Sequence, residues 1–78
     1  MTFLAVDLGA GSGRAILGSF GDDAFELEEV HRFSHPMETC GGYLRWNADH
    51  ILGQITRGIA QAGAAARRRS RPIVSFGI

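Results

Sequence analysis

Residues 7–14 read Asp-Leu-Gly-Ala-Gly-Ser-Gly-Arg and come directly after the apolar run Phe3-Leu4-Ala5-Val6. A short apolar run closed by a glycine cluster predicts a buried strand and then a tight turn. The segment after the turn constrains the fold most. Ala15-Ile16-Leu17-Gly18-Ser19-Phe20 is again apolar and strand-sized, not helical. The nucleotide P-loop and the dinucleotide fingerprint both place their glycines ahead of a helix. The first also needs a lysine, and all eight basic residues here are arginine. The second needs a third glycine where Arg14 stands. Both are excluded, which leaves a turn between two antiparallel strands.

Such a turn has its own chemistry. Glycines let successive backbone N–H groups converge on an anion without Cβ obstruction. Ser12 adds a hydroxyl donor, and Arg14 adds a cation with planar donors. Asp7 would repel a bare phosphate but fits beside a Mg²⁺ ion held through a carboxylate oxygen or its waters. Asp7, the turn Gly9 to Gly13 and Arg14 thus point to a Mg-nucleotide phosphate site. The alternatives are a glycine hairpin that binds nothing, Asp7 as a strand-end cap and Arg14 as a surface arginine. A Gly13→Val substitution is expected to crowd the turn and weaken its hold on the nucleotide phosphates.

The rest of the chain reads as one helix and two strands. Gly21-Asp22-Asp23 predicts a turn. Phe25 and Leu27 alternate with Glu26 and Glu28 before Val30 and Phe33 shift the phase, which predicts a third strand with a bulge near Glu28-Glu29. Ser34 to Leu44 reads as loop, with Pro36 and Gly41-Gly42. A helix is expected over about 48–67, with Asn47 or Asp49 as its N-cap. Ile51, Ile55 and Ile59, with Leu52 and Ala62 beside them, form the stripe expected to pack on the sheet. Arg67-Arg68-Arg69 suits the negative end of the helix dipole, and Pro72 stops the helix. Ile73 to Ile78 is a last buried-strand pattern, expected to lie parallel to the first strand. The order is β-β-β-α-β, an α/β domain over residues 1–78. Its final strand has no closing element and reads as truncated.

Other features carry less. His31, His35, His50 and Cys40 lack the spacing of a closed zinc site, and they read as strand and loop residues. Arg67 to Pro72 is basic but has no interleaved aromatic, so a solvated helix end is expected and nucleic acid is not. Trp46 reads as a staple at the start of the helix. The formal net charge of zero gives no overall pull toward an acidic partner or membrane surface. One cysteine forms no internal disulfide. The start lacks a signal peptide's basic region, and no run reaches the roughly 18 apolar residues of a membrane span. A soluble cytoplasmic protein is expected.

The stretch FLAVDLGAGSGRAILGSF resembles the first phosphate motif of the actin-like ATPase superfamily and, more narrowly, the start of the FGGY carbohydrate kinases. With LEEVHRFSH, GGYLRWNADHI and the closing IVSFGI, the chain resembles the N-terminal end of the rhamnulokinase branch of that family. The resemblance implies the N-terminal part of an actin-like (ribonuclease H-like) domain. It also implies ATP and Mg²⁺ as ligands, with phosphates on Gly9, Ala10, Gly11, Ser12, Gly13 and Arg14, and Asp7 positioning the metal. It further implies transfer of the γ-phosphoryl group to a ketose, L-rhamnulose at O1, with another FGGY ketose kinase, for fuculose or xylulose, as the alternative within the family. A non-catalytic actin-like nucleotide-binding module is the alternative from another class. The family's usual loop has a serine where Gly11 stands, which removes one hydroxyl contact. The catalytic base, the sugar pocket and the second phosphate loop lie beyond Ile78 in such kinases. Losing the base alone costs on the order of 10²–10⁴-fold, so this chain by itself is expected not to turn over. The remainder of the kinase is expected to cover the unfinished sheet.

Overall fold

A computed structural model describes residues 1–21 and 24–78. The turn expected at Gly21-Asp22-Asp23 therefore lies partly outside the described residues. The elements are β1 (Thr2–Leu8), β2 (Ser12–Phe20), β3 (Phe25–Ser34), β4 (Glu38–Cys40), β5 (Tyr43–Arg45), α1 (Ala48–Arg68) and β6 (Ile73–Gly77). Four strands form one sheet in the order β3-β2-β1-β6, and β4 and β5 form a separate pair. β2 is antiparallel to β1 and β3, whereas β6 is parallel to β1. The long helix between β5 and β6 makes that parallel return possible.

The alternation of the strands decides which face the helix covers. Thr2, Leu4 and Val6 of β1 sit opposite Ser19, Leu17 and Ala15 of β2, and all six are buried. The other face carries Phe3, whose ring lies over Gly18. A Cβ at that glycine would come within 2.1 Å of the ring. Phe3, Phe20 and Phe25 meet there with centroids 4.7–6.2 Å apart.

Between Ala15 and Ile16 the β2–β3 register skips Val30. The bulge thus falls one residue beyond the expected Glu28-Glu29, and it brings Val30 against the core. Its further effect is to return His31, Phe33 and His35 to the helix side.

The helix packs differently from its isoleucine pattern. Its buried residues are Gly58, Ala62, Ala65 and Ala66, while Ile59 and Leu52 are exposed. Ile55 does pack against the core of Leu4, Val6, Ala15, Leu17, Ala62 and Ala65. The cause is close approach: a Cβ on Gly58 would lie 2.9 Å from that of Ala15. Small residues let the helix lie low on the sheet, and Ile59 falls outside the contact.

Asn47 is the N-cap, its side chain accepting from the His50 amide at 3.0 Å. At the other end the amides of Ser70 and Arg71 donate to the carbonyls of Arg67 and Ala66. This is a Schellman turn, and Ser70 takes the left-handed position at φ 53°. The helix is already closed before Pro72. Arg69 pairs with Glu28, and Arg71 with Glu26 at 3.6 Å, so two arginines of the basic cluster lean onto β3. Residues 67–72 all stay exposed, so the expected solvated helix end holds with these surface pairs on it. Among the described residues no helix is long and apolar enough to cross a membrane.

The segment read as loop contains the β4–β5 pair, so the order is β-β-β-β-β-α-β. Gly41 and Gly42 make its two-residue turn with φ of 61° and 84°. Glycine reaches that region without strain, and paired glycines between short strands are a hairpin signal.

Candidate functional site

Asp7 is the penultimate residue of β1, and Gly9, Ala10 and Gly11 form the turn. Ser12, Gly13 and Arg14 open β2, so half of the expected loop is strand. Asp7 and Arg14 are cross-strand partners, and the Arg14 Nε donates to Asp7 Oδ2 at 3.2 Å. Both side chains are about half exposed, at 46% for Arg14 and 59% for Asp7. An exposed pair of this kind contributes about 0–1 kcal/mol, little enough for a ligand to open it.

A cleft of about 270 Å³ lies here, lined by Asp7, Gly9, Ser12, Gly13, Arg14 and Arg32. Small-molecule sites run to roughly 300–1,000 Å³, so this one suits a phosphate group and its counter-ion better than a nucleoside. Arg32 is the residue that sequence reasoning missed. It is the cross-strand partner of Arg14, and its Nε donates to Glu29 Oε1 at 2.8 Å. The signal was the alternation of His31, Phe33 and His35 with Arg32 and Ser34, which sends Arg32 to the face that Arg14 occupies. Asp7 is the carboxylate among the lining residues. One carboxylate, with phosphate oxygens and waters completing the shell, is a donor set that Mg²⁺ accepts.

The hydrogen bonding of the turn is one-sided. The Ala10 carbonyl accepts from the Trp46 indole Nε1 at 3.1 Å, and the Gly11 carbonyl from the His35 amide at 2.9 Å. The Ser12 carbonyl accepts twice, from the Gly9 amide at 2.8 Å and from His35 Nε2 at 3.0 Å. The amides of Ala10 and Gly11 have no partner among the described residues. Because His35 donates to Gly11, Ser12 and Ser34 face each other as a non-hydrogen-bonded pair, and the Ser12 amide also stays outside the ladder. From Ala10 to Ser12 the carbonyls are engaged, and the amides have no partner among the described residues.

The glycines have distinct circumstances. Gly9 and Gly11 lack positive φ, and nothing lies within 4 Å of where a Gly11 Cβ would be. A Cβ on Gly13 would meet Phe33 at 2.4 Å and Leu8 at 2.9 Å. Gly13 therefore makes room for the Phe33 ring, and Gly13→Val strikes that ring before it crowds the turn.

The histidines are engaged in packing. His31 Nε2 lies 2.8 Å from Gln54 Oε1, and His50 Nε2 donates to the Ser34 carbonyl at 2.8 Å. His35 is buried between Phe33 and the edge of Trp46.

In sequence the chain is similar to sugar kinases, and the relatives in question are rhamnulokinases. It is 40% identical to rhamnulokinase of Bacteroides thetaiotaomicron over 76 residues, 97% of this chain and 15% of that protein. It is 40% identical to rhamnulokinase of Ligilactobacillus salivarius over 57 residues, 73% of this chain and 12% of that protein. With the Bacillus subtilis rhamnulokinase it shares 36% identity over 59 residues, 76% of this chain and 12% of that protein. No family model matches the chain. The matches cover 12–15% of these relatives' length and are consistent with an N-terminal fragment of a rhamnulokinase-like FGGY kinase.

Proposed function

We propose that this chain is the N-terminal phosphate-binding part of an ATP-dependent ketose kinase of the cytoplasm. In the complete protein, the γ-phosphoryl group of MgATP passes to O1 of L-rhamnulose and ADP leaves. The observation that carries the reading is the turn at 9–12, whose carbonyls from Ala10 to Ser12 are all bonded while the amides of Ala10, Gly11 and Ser12 have no partner among the described residues. Free amides beside two arginines favour an anion.

Each residue then has a task. Gly9 to Gly13 present the turn to the phosphates, and the Ser12 hydroxyl is a further donor. Arg14 leaves Asp7 for a phosphate oxygen, which releases the carboxylate to orient Mg²⁺, directly or through its waters. Asp7 would hold the ion, which when bound would supply positive charge against the phosphoryl group being transferred. The sheet order β3-β2-β1-β6, with a helix returning the last strand beside the first, supports an actin-like (ribonuclease H-like) domain. The base that takes the O1 proton and the ketose pocket are expected outside this chain. Alone it is expected to be inactive, with the rest of the kinase covering the exposed Leu52, Ile59, Val74 and Phe76.

The test is to express the native gene product that carries this segment and measure ADP formation from MgATP with L-rhamnulose, L-fuculose and D-xylulose in turn. Turnover with L-rhamnulose alone supports the reading. Turnover with another ketose moves the substrate within the family. MgATP binding with no acceptor used would make the protein a non-catalytic nucleotide-binding module.

A further inference from the structure

The free donors of the turn are held in place from a distance. Peptide units are planar and trans, so fixing a carbonyl in one direction fixes the next residue's N–H in the other. Trp46 holds the Ala10 carbonyl and so turns the Gly11 amide away from itself. The His35 amide holds the Gly11 carbonyl and so orients the Ser12 amide. The His35 ring adds a bond from Nε2 to the Ser12 carbonyl, which also takes the Gly9 amide; this fixes the Ser12–Gly13 peptide and so pins the end of the turn from which the Ser12 amide projects. A carbonyl accepts, so the ring carries its proton on Nε2, and Nδ1 is buried without a partner among the described residues. The two rings also brace each other edge-on, with centroids 6.1 Å apart and planes at 78°. Trp46 precedes the N-cap Asn47, and His50 in the first helical turn bonds the Ser34 carbonyl next to His35. The start of α1 is thereby tied to the turn.

From this geometry we infer that His35 and Trp46 are positioning residues for the phosphate turn: they hold its carbonyls back so that the amides of Gly11 and Ser12 face an incoming phosphate. The inference rests on the phosphate-binding function proposed for the turn. Neither side chain touches the anion. Each acts through the backbone, and sequence spacing gives no hint of it, since the partners are 23 and 36 residues apart.

MgATP titration calorimetry on the native gene product tests this, because affinity and stoichiometry are read separately. Trp46→Phe keeps an aromatic ring and removes the indole N–H, and His35→Leu removes the ring donor. Each is expected to raise the Kd for MgATP roughly three- to tenfold, the range of one lost hydrogen bond, with stoichiometry unchanged. His35→Gln, which can restore a donor at the same reach, should return to within about twofold of the wild type by the same reasoning. Arg14→Ala is the control for the phosphate reading itself. If Arg14→Ala weakens MgATP while Trp46→Phe and His35→Leu bind like the wild type, or lose only stoichiometry, the positioning role is wrong and the phosphate site stands. The role of the His35 bond also fails if His35→Gln binds as weakly as His35→Leu. If the wild type does not bind MgATP, or Arg14→Ala leaves the Kd unchanged, the phosphate reading falls and this inference falls with it.

Discussion

The chain makes two glycine turns, and they are held in opposite ways. At Gly41-Gly42 both residues sit at positive φ, and nothing lies within 4 Å of where either Cβ would be. That turn owes its shape to the positive φ that its two glycines adopt. At Gly9 to Gly11 no residue has positive φ. There the shape comes from the bonds that His35 and Trp46 make to the carbonyls of Ala10, Gly11 and Ser12. In the first turn glycine supplies conformation. In the second it keeps the backbone uncovered while distant residues supply the conformation.

Substitutions separate the two cases, and the largest effect is expected beside the second turn. Gly13→Val drives a side chain into Phe33 and Leu8, and overpacking of this kind destabilises by about 1–3 kcal/mol. A melting temperature lower by roughly 4–8 °C per kcal/mol is the expected readout. MgATP affinity of the protein that remains folded should change little. A raised KM with an unchanged melting temperature would instead put the Gly13 side on the phosphate, as the residues alone suggested. Gly42→Ala places a Cβ in the left-handed region at a cost of about 1–2 kcal/mol. The exposed β4–β5 hairpin should absorb it, losing amide protection while the four-stranded sheet and MgATP binding are untouched. A fall in MgATP affinity would show that the two turns are coupled and not independent.

This division also explains what could be read from the residues. β1, β2 and the helix were legible because local pattern determines them: an apolar run closed by glycines, an N-cap at Asn47, an arginine-rich last turn. The β4–β5 hairpin was missed and read as loop: Gly41-Gly42 marks its turn, but its strands are three residues each and carry almost no pattern. The isoleucine stripe misled because helix packing depends on how closely two backbones approach. The small side chains of Gly58 and Ala15 set that distance, and a hydrophobic period does not report it. Of the candidate site, Asp7, the glycines and Arg14 are contiguous and were found together. Arg32, His35 and Trp46 reach the site only after β3 folds against β2 and α1 docks, so their part lay in tertiary pairing.

The helix end offers a smaller test of the same idea, that glycine matters where conformation demands it. Ser70 holds the left-handed position of the Schellman turn at φ 53°, where glycine is the usual occupant. Ser70→Gly should stabilise the fold by about 0.5–1 kcal/mol, less what the unfolded chain gains in freedom. Urea unfolding reads it as a higher midpoint with the same slope. An unchanged midpoint would mean that chain freedom offsets the relief in full.

Gly11→Ser is expected to change stability least and says most about the turn. The space around Gly11 is open and its φ is ordinary, so the fold should shift by no more than about 0.5 kcal/mol. Held by Trp46 and His35, the backbone keeps its amides where they are, and the serine adds a hydroxyl donor beside them. One further hydrogen bond to a phosphate oxygen tightens MgATP roughly two- to tenfold. A weaker Kd with intact stability would mean that the anion approaches over the Gly11 Cα and that a side chain there obstructs it. Glycine would then serve the second turn as an opening for the ligand, and the contrast with Gly41-Gly42 would sharpen.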